Sequence, residues 1–220
     1  MKIETLKALI AAKRERRAVA MVTNTLSGAE RLVARADASP GSDLEKAFRF
    51  DRSGMLGEDF IAIHNPPLRL MIIGAVLMAQ GIIPIAKACG YDITVIDPRG
   101  AFATGARFPD ITLLADWPQD VLPNLNLDAR TGFIALTHDP KIDDPALEIA
   151  LKSEVFYIGA LGSKKTHASR LERLAKAGFN AAEVARIAGP IGLSIGAVGA
   201  AEIAISVMAQ VTQALRLGQQ

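Results

Sequence analysis

The sequence predicts an α/β chain, a doubly wound parallel sheet with a small α+β appendage in front of it. Three observations point there. Short, largely apolar segments such as Leu70-Met71-Ile72-Ile73 and Ile93-Thr94-Val95-Ile96 have the composition of strands buried on both faces. Helix-length stretches separate these segments, and strands alternating with helices build parallel βαβ units. The alternation starts only after Asn65-Pro66-Pro67, which divides the chain into a front region, 1–66, and a larger region, 67–220.

In the front region, Ile3 to Ala12 reads as a short amphipathic helix. Ala18 to Thr25 and Glu30 to Ala38 read as strands joined by a Leu26-Ser27-Gly28 turn. Ser39 to Gly57 is polar and marked by Gly, Ser and Asp, the composition of a loop, and Phe60 to His64 adds one strand. So short a region holds little core, and it is expected to lean on the remainder or on a partner.

The larger region opens with the strand Leu70 to Ile73. A helix follows from Met78 to Cys89, stopped by Gly90, with Pro84 expected to kink it. The strand Ile93 to Ile96 runs into Asp97-Pro98-Arg99. Next come a short strand, Ile111 to Ala115, a helical turn, Pro118 to Leu122, and a strand, Gly132 to Thr137. Asp144 to Lys152 is a helix opened by Asp-Pro; Val155 to Ile158 is a strand, and Lys164 to Ala177 a helix stopped by Gly178. Ala181 to Arg186 and Ala200 to Leu215 are helical. This succession is Rossmann-like.

Composition narrows the function classes. The chain has 220 residues, half of them hydrophobic, enough for one domain and an appendage. Its longest apolar run, Leu68 to Ile85, is interrupted by Arg69, Gly74, Gln80, Gly81 and Pro84, too broken for a membrane span. No basic segment followed by an apolar one opens the chain, so a cytoplasmic protein is expected. Lys+Arg 25 against Asp+Glu 23 leaves a net charge of +2, no global attraction for nucleic acid or anionic lipid. The cluster Lys13, Arg14, Arg16 and Arg17 reads as a solvated helix end. The single cysteine, Cys89, excludes an internal disulfide or a cysteine zinc cluster, and its neighbours Ile85, Ala86 and Ala88 suggest a buried thiol.

Loops, most of them after strands, carry the chemistry. Gly74-Ala75-Val76-Leu77-Met78-Ala79 follows the first strand and approaches the template G-x-G-x-x-G/A, with Gly74 and Ala79 in place and Val76 where the middle glycine would admit a pyrophosphate. Asp97, at the end of the second strand, is placed to accept a ribose hydroxyl, and Arg99 to pair with a phosphate; a scaffold that binds no dinucleotide fits the same pattern. Thr137-His138-Asp139 lies beyond the carboxyl end of a strand. There His138 supplies an acid/base group, and Asp139 and Asp143 could orient it or hold a hard cation. The plainer reading makes Asp143 or Asp144 a helix N-cap beside a structural histidine.

The loop Gly159-Ala160-Leu161-Gly162-Ser163-Lys164-Lys165-Thr166-His167 has two glycines, a capping serine and two lysines at a helix start, the makings of an anion site. It is no Walker A loop, and a capped surface helix with solvated lysines is the competing reading. Gly189-Pro190-Ile191-Gly192-Leu193-Ser194-Ile195-Gly196 leads to Glu202, whose apolar neighbours suggest partial burial and hence a partner. An NAD(P)-dependent oxidoreductase would use His138 or His167 as acid/base.

Five motifs in register resemble the XdhC/CoxI family. They are Gly74-Ala75 with Ala79-Gln80; Val95-Ile96-Asp97-Pro98-Arg99 with Phe102-Ala103-Thr104 and Arg107-Phe108-Pro109; Leu136-Thr137-His138-Asp139-Pro140-Lys141; Tyr157-Ile158-Gly159-Ala160-Leu161-Gly162-Ser163-Lys164-Lys165-Thr166-His167; and Gly189-Pro190-Ile191-Gly192-Leu193 with Ala201-Glu202-Ile203. The resemblance spans about Leu68 to Gln210. It implies an accessory factor that binds the molybdenum cofactor, as molybdopterin or its dinucleotide form, and assists its sulfuration and insertion into an apo molybdenum hydroxylase. The implied role is that of a chaperone rather than a catalyst. A separate XdhC N-terminal domain protein or a cysteine desulfurase would be further partners, and Ala200 to Leu215 could form a homodimer seam. On the resemblance, Gly74, Ala75, Asp97, Arg99, Thr137, His138, Asp139, Gly159, Gly162, Ser163, Lys164, Thr166, His167 and Glu202 would contact the cofactor. Two departures stand out: the front region has no Gly-Gly-Cys-x-Glu motif, and Val76-Leu77 replaces a Gly-His pair. A pure protein-interaction module is the remaining reading.

Overall fold

Alternation along Val19-Ala20-Met21-Val22 sends Val19 and Met21 to one side of a strand and Ala20 and Val22 to the other, and both sides are covered. In the computed structural model, which describes residues 2–218, helix α1 (Ile3–Arg14) lays Leu9 and Ala12 against Val19 and Met21. Strand β1 (Val19–Asn24) pairs with β2 (Glu30–Ala34). Helix α2 (Asp43–Arg49) buries Phe48 completely against Ala20, Val22 and Ile61. Strands β3 (Gly54–Leu56) and β4 (Asp59–His64) complete an antiparallel sheet in the order β2-β1-β4-β3.

The sequence expectation for this unit, Met1–Pro66, needs one correction. The stretch expected as loop, 39–57, contains α2 and β3. Its start signal is Ser42, whose hydroxyl accepts the Glu45 N–H at 3.1 Å, the N-cap arrangement that opens a helix. The unit holds a small core on each face of its sheet.

The unit Pro67–Gln220 is built on six strands. They are β5 (Arg69–Ile73), β6 (Asp92–Ile96), β7 (Thr112–Leu114), β8 (Thr131–Ala135), β9 (Tyr157–Ala160) and β10 (Ile187–Ala188). All pair in parallel, in the order β10-β9-β8-β5-β6-β7. Counted from β5, and read from the β7 edge, that is the 3-2-1-4-5-6 order of dinucleotide-binding folds.

Side-chain alternation divides the core. Leu70, Ile72, Val95 and Ile134 face α3 (Leu77–Ala88) and α8 (Gly199–Leu217), where Ile82, Ala204, Val207 and Val211 meet them. Met71, Ile73, Phe133 and Ile158 face the other way, toward α5 (Pro140–Leu151) and α6 (Lys164–Lys176), which supply Ile142, Leu147 and Leu174. Short helices α4 (Pro118–Val121) and α7 (Ala181–Val184) flank that second layer. Among the described residues no helix is long and apolar enough to cross a membrane.

Several boundaries differ from the sequence expectation. Helix α3 runs unbroken through Pro84, whose ring sits on the solvent side where the unpaired Gln80 carbonyl can reach water. Cys89 follows the last turn of α3 and is exposed, not buried. Helix α5 begins at Pro140 rather than Asp144, because the Asp139 side chain accepts the Lys141 N–H at 2.9 Å. Strand β9 extends through Gly159 and Ala160, and β10, only two residues long, had no sequence signature.

Candidate functional site

Strands β5 and β8 lie side by side, while the helices that follow them leave to opposite faces of the sheet. Beyond their carboxyl ends such a sheet opens a crevice, the usual ligand position in this class of fold. Gly74-Ala75-Val76 leaves β5 there, and Leu136-Thr137-His138-Asp139 leaves β8. The two loops touch. Gly74 has φ +111°, and a Cβ placed on it would stand 2.8 Å from Thr137 Cγ2 and 3.3 Å from the Thr137 nitrogen. Only glycine meets both demands.

Asp97 ties the first loop to the end of β6. One of its oxygens accepts the Ala75 N–H and Arg99 Nη2, each at 2.8 Å; the other accepts the Arg99 N–H at 3.0 Å and Arg99 Nε at 2.9 Å. Burial alone would raise the pKa of this fully buried carboxyl, but the Arg99 and Ala75 donors outweigh it and hold the group below its ordinary value. The same pairing raises the pKa of Arg99, helped by the fields of Asp139 and Asp143. The expectation that Asp97 accepts a ribose hydroxyl is therefore corrected: both oxygens are engaged within the protein. Arg99 keeps about a third of its side chain exposed, 35 %, and stacks 4.8 Å from the Phe102 ring centroid. Val76 is the N-cap residue of α3 and brings no side-chain acceptor to that helix start.

Asp143 plays the matching part in the second loop. Buried in the first turns of α5, it accepts Thr137 Oγ1 at 2.7 Å, the Thr137 N–H at 3.3 Å and the His138 N–H at 3.1 Å. Burial nonetheless raises its pKa, against those donors and the nearby Arg170. These bonds hold His138 at φ +62°, a left-handed conformation that turns its exposed ring outward from the loop. The N-cap of α5 is Asp139, not Asp143 or Asp144. With Asp139 and Asp143 committed to backbone N–H groups, the metal trio of His138, Asp139 and Asp143 does not assemble. Among the described residues no three His, Cys, Asp or Glu side chains converge as a metal site requires.

Beyond β9, Gly162 has φ +148° and lies against Thr166, Ser163 caps α6 by accepting the Thr166 N–H at 3.1 Å, and Lys164 is exposed. Gly159 is a packing position inside β9, where a Cβ would strike Tyr157 and Ile191. His167 lies apart from His138: its Nδ1 is buried without a hydrogen-bond partner against Gly189, and burial with the Arg170 charge lowers its pKa. Glu202 is exposed rather than part-buried, and accepts the Val198 N–H at 2.6 Å at the start of its own helix.

Gly74, Ala75, Asp97, Arg99, Thr137, His138 and Asp139 thus lie on adjoining loops at the carboxyl ends of β5, β6 and β8; Thr166 lines a cleft with His138, His167 packs against Gly189, and Glu202 bonds at the start of its own helix. Sequence reasoning missed Arg170, fully buried in the middle of α6. Its signal was its spacing: it stands four positions before the buried Leu174, on the apolar stripe of the helix. A cleft of about 480 Å³ lies in the front unit between α2 and β3. Of its charged lining residues Asp43, Lys46 and Arg52, the first two pair with each other at 3.1 Å.

The family model described as the XdhC Rossmann domain matches residues 70–211. The chain belongs to the XdhC family. Among curated relatives, this XdhC chain is 33% identical over 169 residues to the molybdenum cofactor insertion chaperone PaoD of Escherichia coli, covering 77% of the chain and 46% of that protein. It is 30% identical over 155 residues to a Bacillus subtilis protein named as a probable xanthine dehydrogenase subunit, covering 70% of the chain and 45% of that protein. A crystal structure titled as a xanthine dehydrogenase from Bacillus halodurans superposes with a TM-score of 0.69 at 26% identity, covering 99% of this chain and 65% of that one. The XdhC chain spans less than half the length of the curated relatives it matches.

Proposed function

We propose that this chain is a maturation factor for molybdenum hydroxylases, holding the phosphate-bearing end of the molybdenum cofactor while it is sulfurated and delivered to the apo-enzyme. The observation that carries the reading is the arrangement of the loops at the carboxyl ends of β5, β6 and β8, with Arg99 part-exposed among them. Asp97, the acid at the position where a ribose acceptor would stand, is turned inward, while Arg99 and the uncapped start of α3 favour an anion there. That arrangement suits a pterin bearing a phosphate better than a nicotinamide dinucleotide held through its ribose in the ordinary way. The relatives named as an insertion chaperone and as a xanthine dehydrogenase subunit support the same reading.

The residues present fit one end of the cofactor. The cofactor supplies the redox-active metal that the hydroxylase uses, and this chain's contribution is to bind and orient. Cys89 follows the last turn of α3, toward the amino ends of the strands, so it offers no thiolate at their carboxyl ends. Gly74, Ala75 and Val76 would present backbone, Arg99 its guanidinium, and Thr137 and His138 the far wall. The partner is the apo-hydroxylase, with sulfur delivered by a separate donor protein.

Pterin fluorescence tests the proposal. Purified protein mixed with released cofactor should carry the fluorescence through gel filtration, and Arg99→Glu should lose it. Wild type that elutes without pterin, yet quenches or enhances NADH fluorescence at micromolar levels, overturns the reading in favour of an oxidoreductase.

A further inference from the structure

Between α5 and α6 a second cleft of about 250 Å³ is lined by His138, Asp143, Asp144, Lys165, Arg170 and Arg173. Most of its charges are already used. Arg173 is paired to Asp144 through Nε and Nη2. Asp143 spends its oxygens on Thr137 and His138. Arg170 is different. Only 2 % exposed, it donates from Nη2 to the Leu161 carbonyl at 2.9 Å, while its Nε and Nη1 are buried with no hydrogen-bond partner.

The nearest carboxylate does not relieve this. Asp143 Oδ2 lies 3.9 Å from Arg170 Nη2, beyond hydrogen-bond range, and already takes the His138 N–H. Burial lowers the pKa of Arg170 in spite of the Asp143 and Asp144 fields, with Arg173 pushing the same way. A buried guanidinium with donors to spare is expensive unless an acceptor arrives. Lys165, exposed at the edge of the cleft, makes no ion pair among the described residues. Lys165, Arg170 and Arg173 against Asp143 and Asp144 leave one positive charge over, before His138 is considered. Ser169 adds a hydroxyl, and the start of the 13-residue α6 its dipole.

We propose that this cleft is a phosphate subsite, in which the guanidinium of Arg170 and the ammonium of Lys165 hold a phosphate group of the ligand whose remainder lies along the switch-point crevice. Guanidinium donors are the usual partners of phosphate oxygens, and lysine adds a point charge. His138 lines this cleft and follows Thr137, which touches Gly74, so the same loop borders both parts of the ligand. The assignment of that phosphate to the molybdenum cofactor rests on the function proposed above. A monoester on the pterin and the diphosphate of the dinucleotide form share this chemistry.

Inorganic phosphate and inorganic pyrophosphate are the probes, with sodium chloride at matched ionic strength as control. Wild-type protein should show saturable thermal stabilisation by phosphate and broadening of the phosphate 31P signal. Lys165→Glu, a surface change, should weaken that binding about tenfold, the equivalent of about 1.4 kcal/mol. Arg170→Met should abolish it, and Lys165→Glu decides the matter if the buried variant does not fold. Tighter binding of pyrophosphate assigns the subsite to a dinucleotide, and tighter binding of phosphate to a monoester. No response beyond that to chloride, or an equal response in wild type and Lys165→Glu, overturns the subsite. Pterin retention separates the two proposals. Protein that keeps pterin but ignores phosphate loses the subsite alone, and protein that binds phosphate but no pterin keeps the subsite and loses the cofactor.

Discussion

Asp97→Asn tests the clasp at the heart of the switch-point crevice. The carboxylate accepts four hydrogen bonds, two per oxygen. An asparagine amide can accept at one position only. Whichever way it turns, its NH2 faces two donors, either Ala75 N–H with Arg99 Nη2 or Arg99 N–H with Arg99 Nε. Two bonds to a charged acceptor are lost and the ion pair with Arg99 disappears. Hydrogen bonds to charged groups are worth about 1.5–3 kcal/mol each, and breaking a buried pair about 3–5 kcal/mol. Arg99 is 35 % exposed, which screens its share, so the loss settles near the lower end, about 3 kcal/mol. For a chain of this size that lowers Tm by about 6–12 °C. Thermal unfolding followed by far-ultraviolet circular dichroism, and by the fluorescence of the single tryptophan Trp117 in the same unit, measures it. If Asp97 instead waits with free oxygens for a ribose, the substitution should be nearly neutral without ligand. A loss under about 1 kcal/mol would refute the clasp.

Three further outcomes follow from the same geometry. Because folding lowers the pKa of Asp97 from its ordinary 3.8, its stabilisation is complete above that value and disappears as pH falls through the folded one. The stability gap between wild type and Asp97→Asn should therefore be full at neutral pH and shrink in urea titrations at progressively more acid pH below 3.8. Gly74→Ala should cost about 2–3 kcal/mol, part from a positive φ and part from the Cβ contact with Thr137. Adding Thr137→Ser, which removes Cγ2, should restore the steric part only, measured as a double-mutant cycle. Phe48→Ala empties the centre of one core of the front unit and should cost about 3–5 kcal/mol, seen as faster amide exchange in β1 and β4.

The fold was legible where periodicity was strong. Leu70 to Ile73 and Ile93 to Ile96 are apolar because both faces of the sheet are covered, and that composition identifies them as strands without further help. The front unit was harder. Ser42 and Glu45 do mark a helix start, but the polar residues around them also suit a loop, and burial of Phe48 is a tertiary fact. Strand β10 is two residues long and exists only because β9 offers it an edge. At the site, sequence singled out the loops that follow β5, β6 and β8 and misjudged what their carboxylates do. Asp97 and Asp143 occur where ligand-binding acids occur, yet both are turned inward on backbone N–H groups, because loops that approach this closely leave buried donors in need of acceptors. Arg170 escaped notice because an arginine on an apolar stripe looks like any other helix residue until its surroundings are known.

The packing of α8 bears on how the protein comes off the ribosome. That helix, Gly199–Leu217, contributes Ala204, Val207, Met208, Val211 and Ala214 to the same layer as Leu70 and Ile72, and a Cβ on Gly81 of α3 would stand 3.2 Å from Ala204. Helix α3 and the β9 side of that layer are made before α8, and the surfaces it covers stay bare until the helix has cleared the exit tunnel. Vectorial synthesis therefore leaves a nascent chain with an apolar sheet face in search of a cover, the kind of surface that general folding helpers hold. Pairings that span so much sequence also form slowly once all the parts are present. Conditions that slow elongation before α8 should lengthen that exposure, and aggregation during overexpression should track it more closely than it tracks the stability of the finished fold.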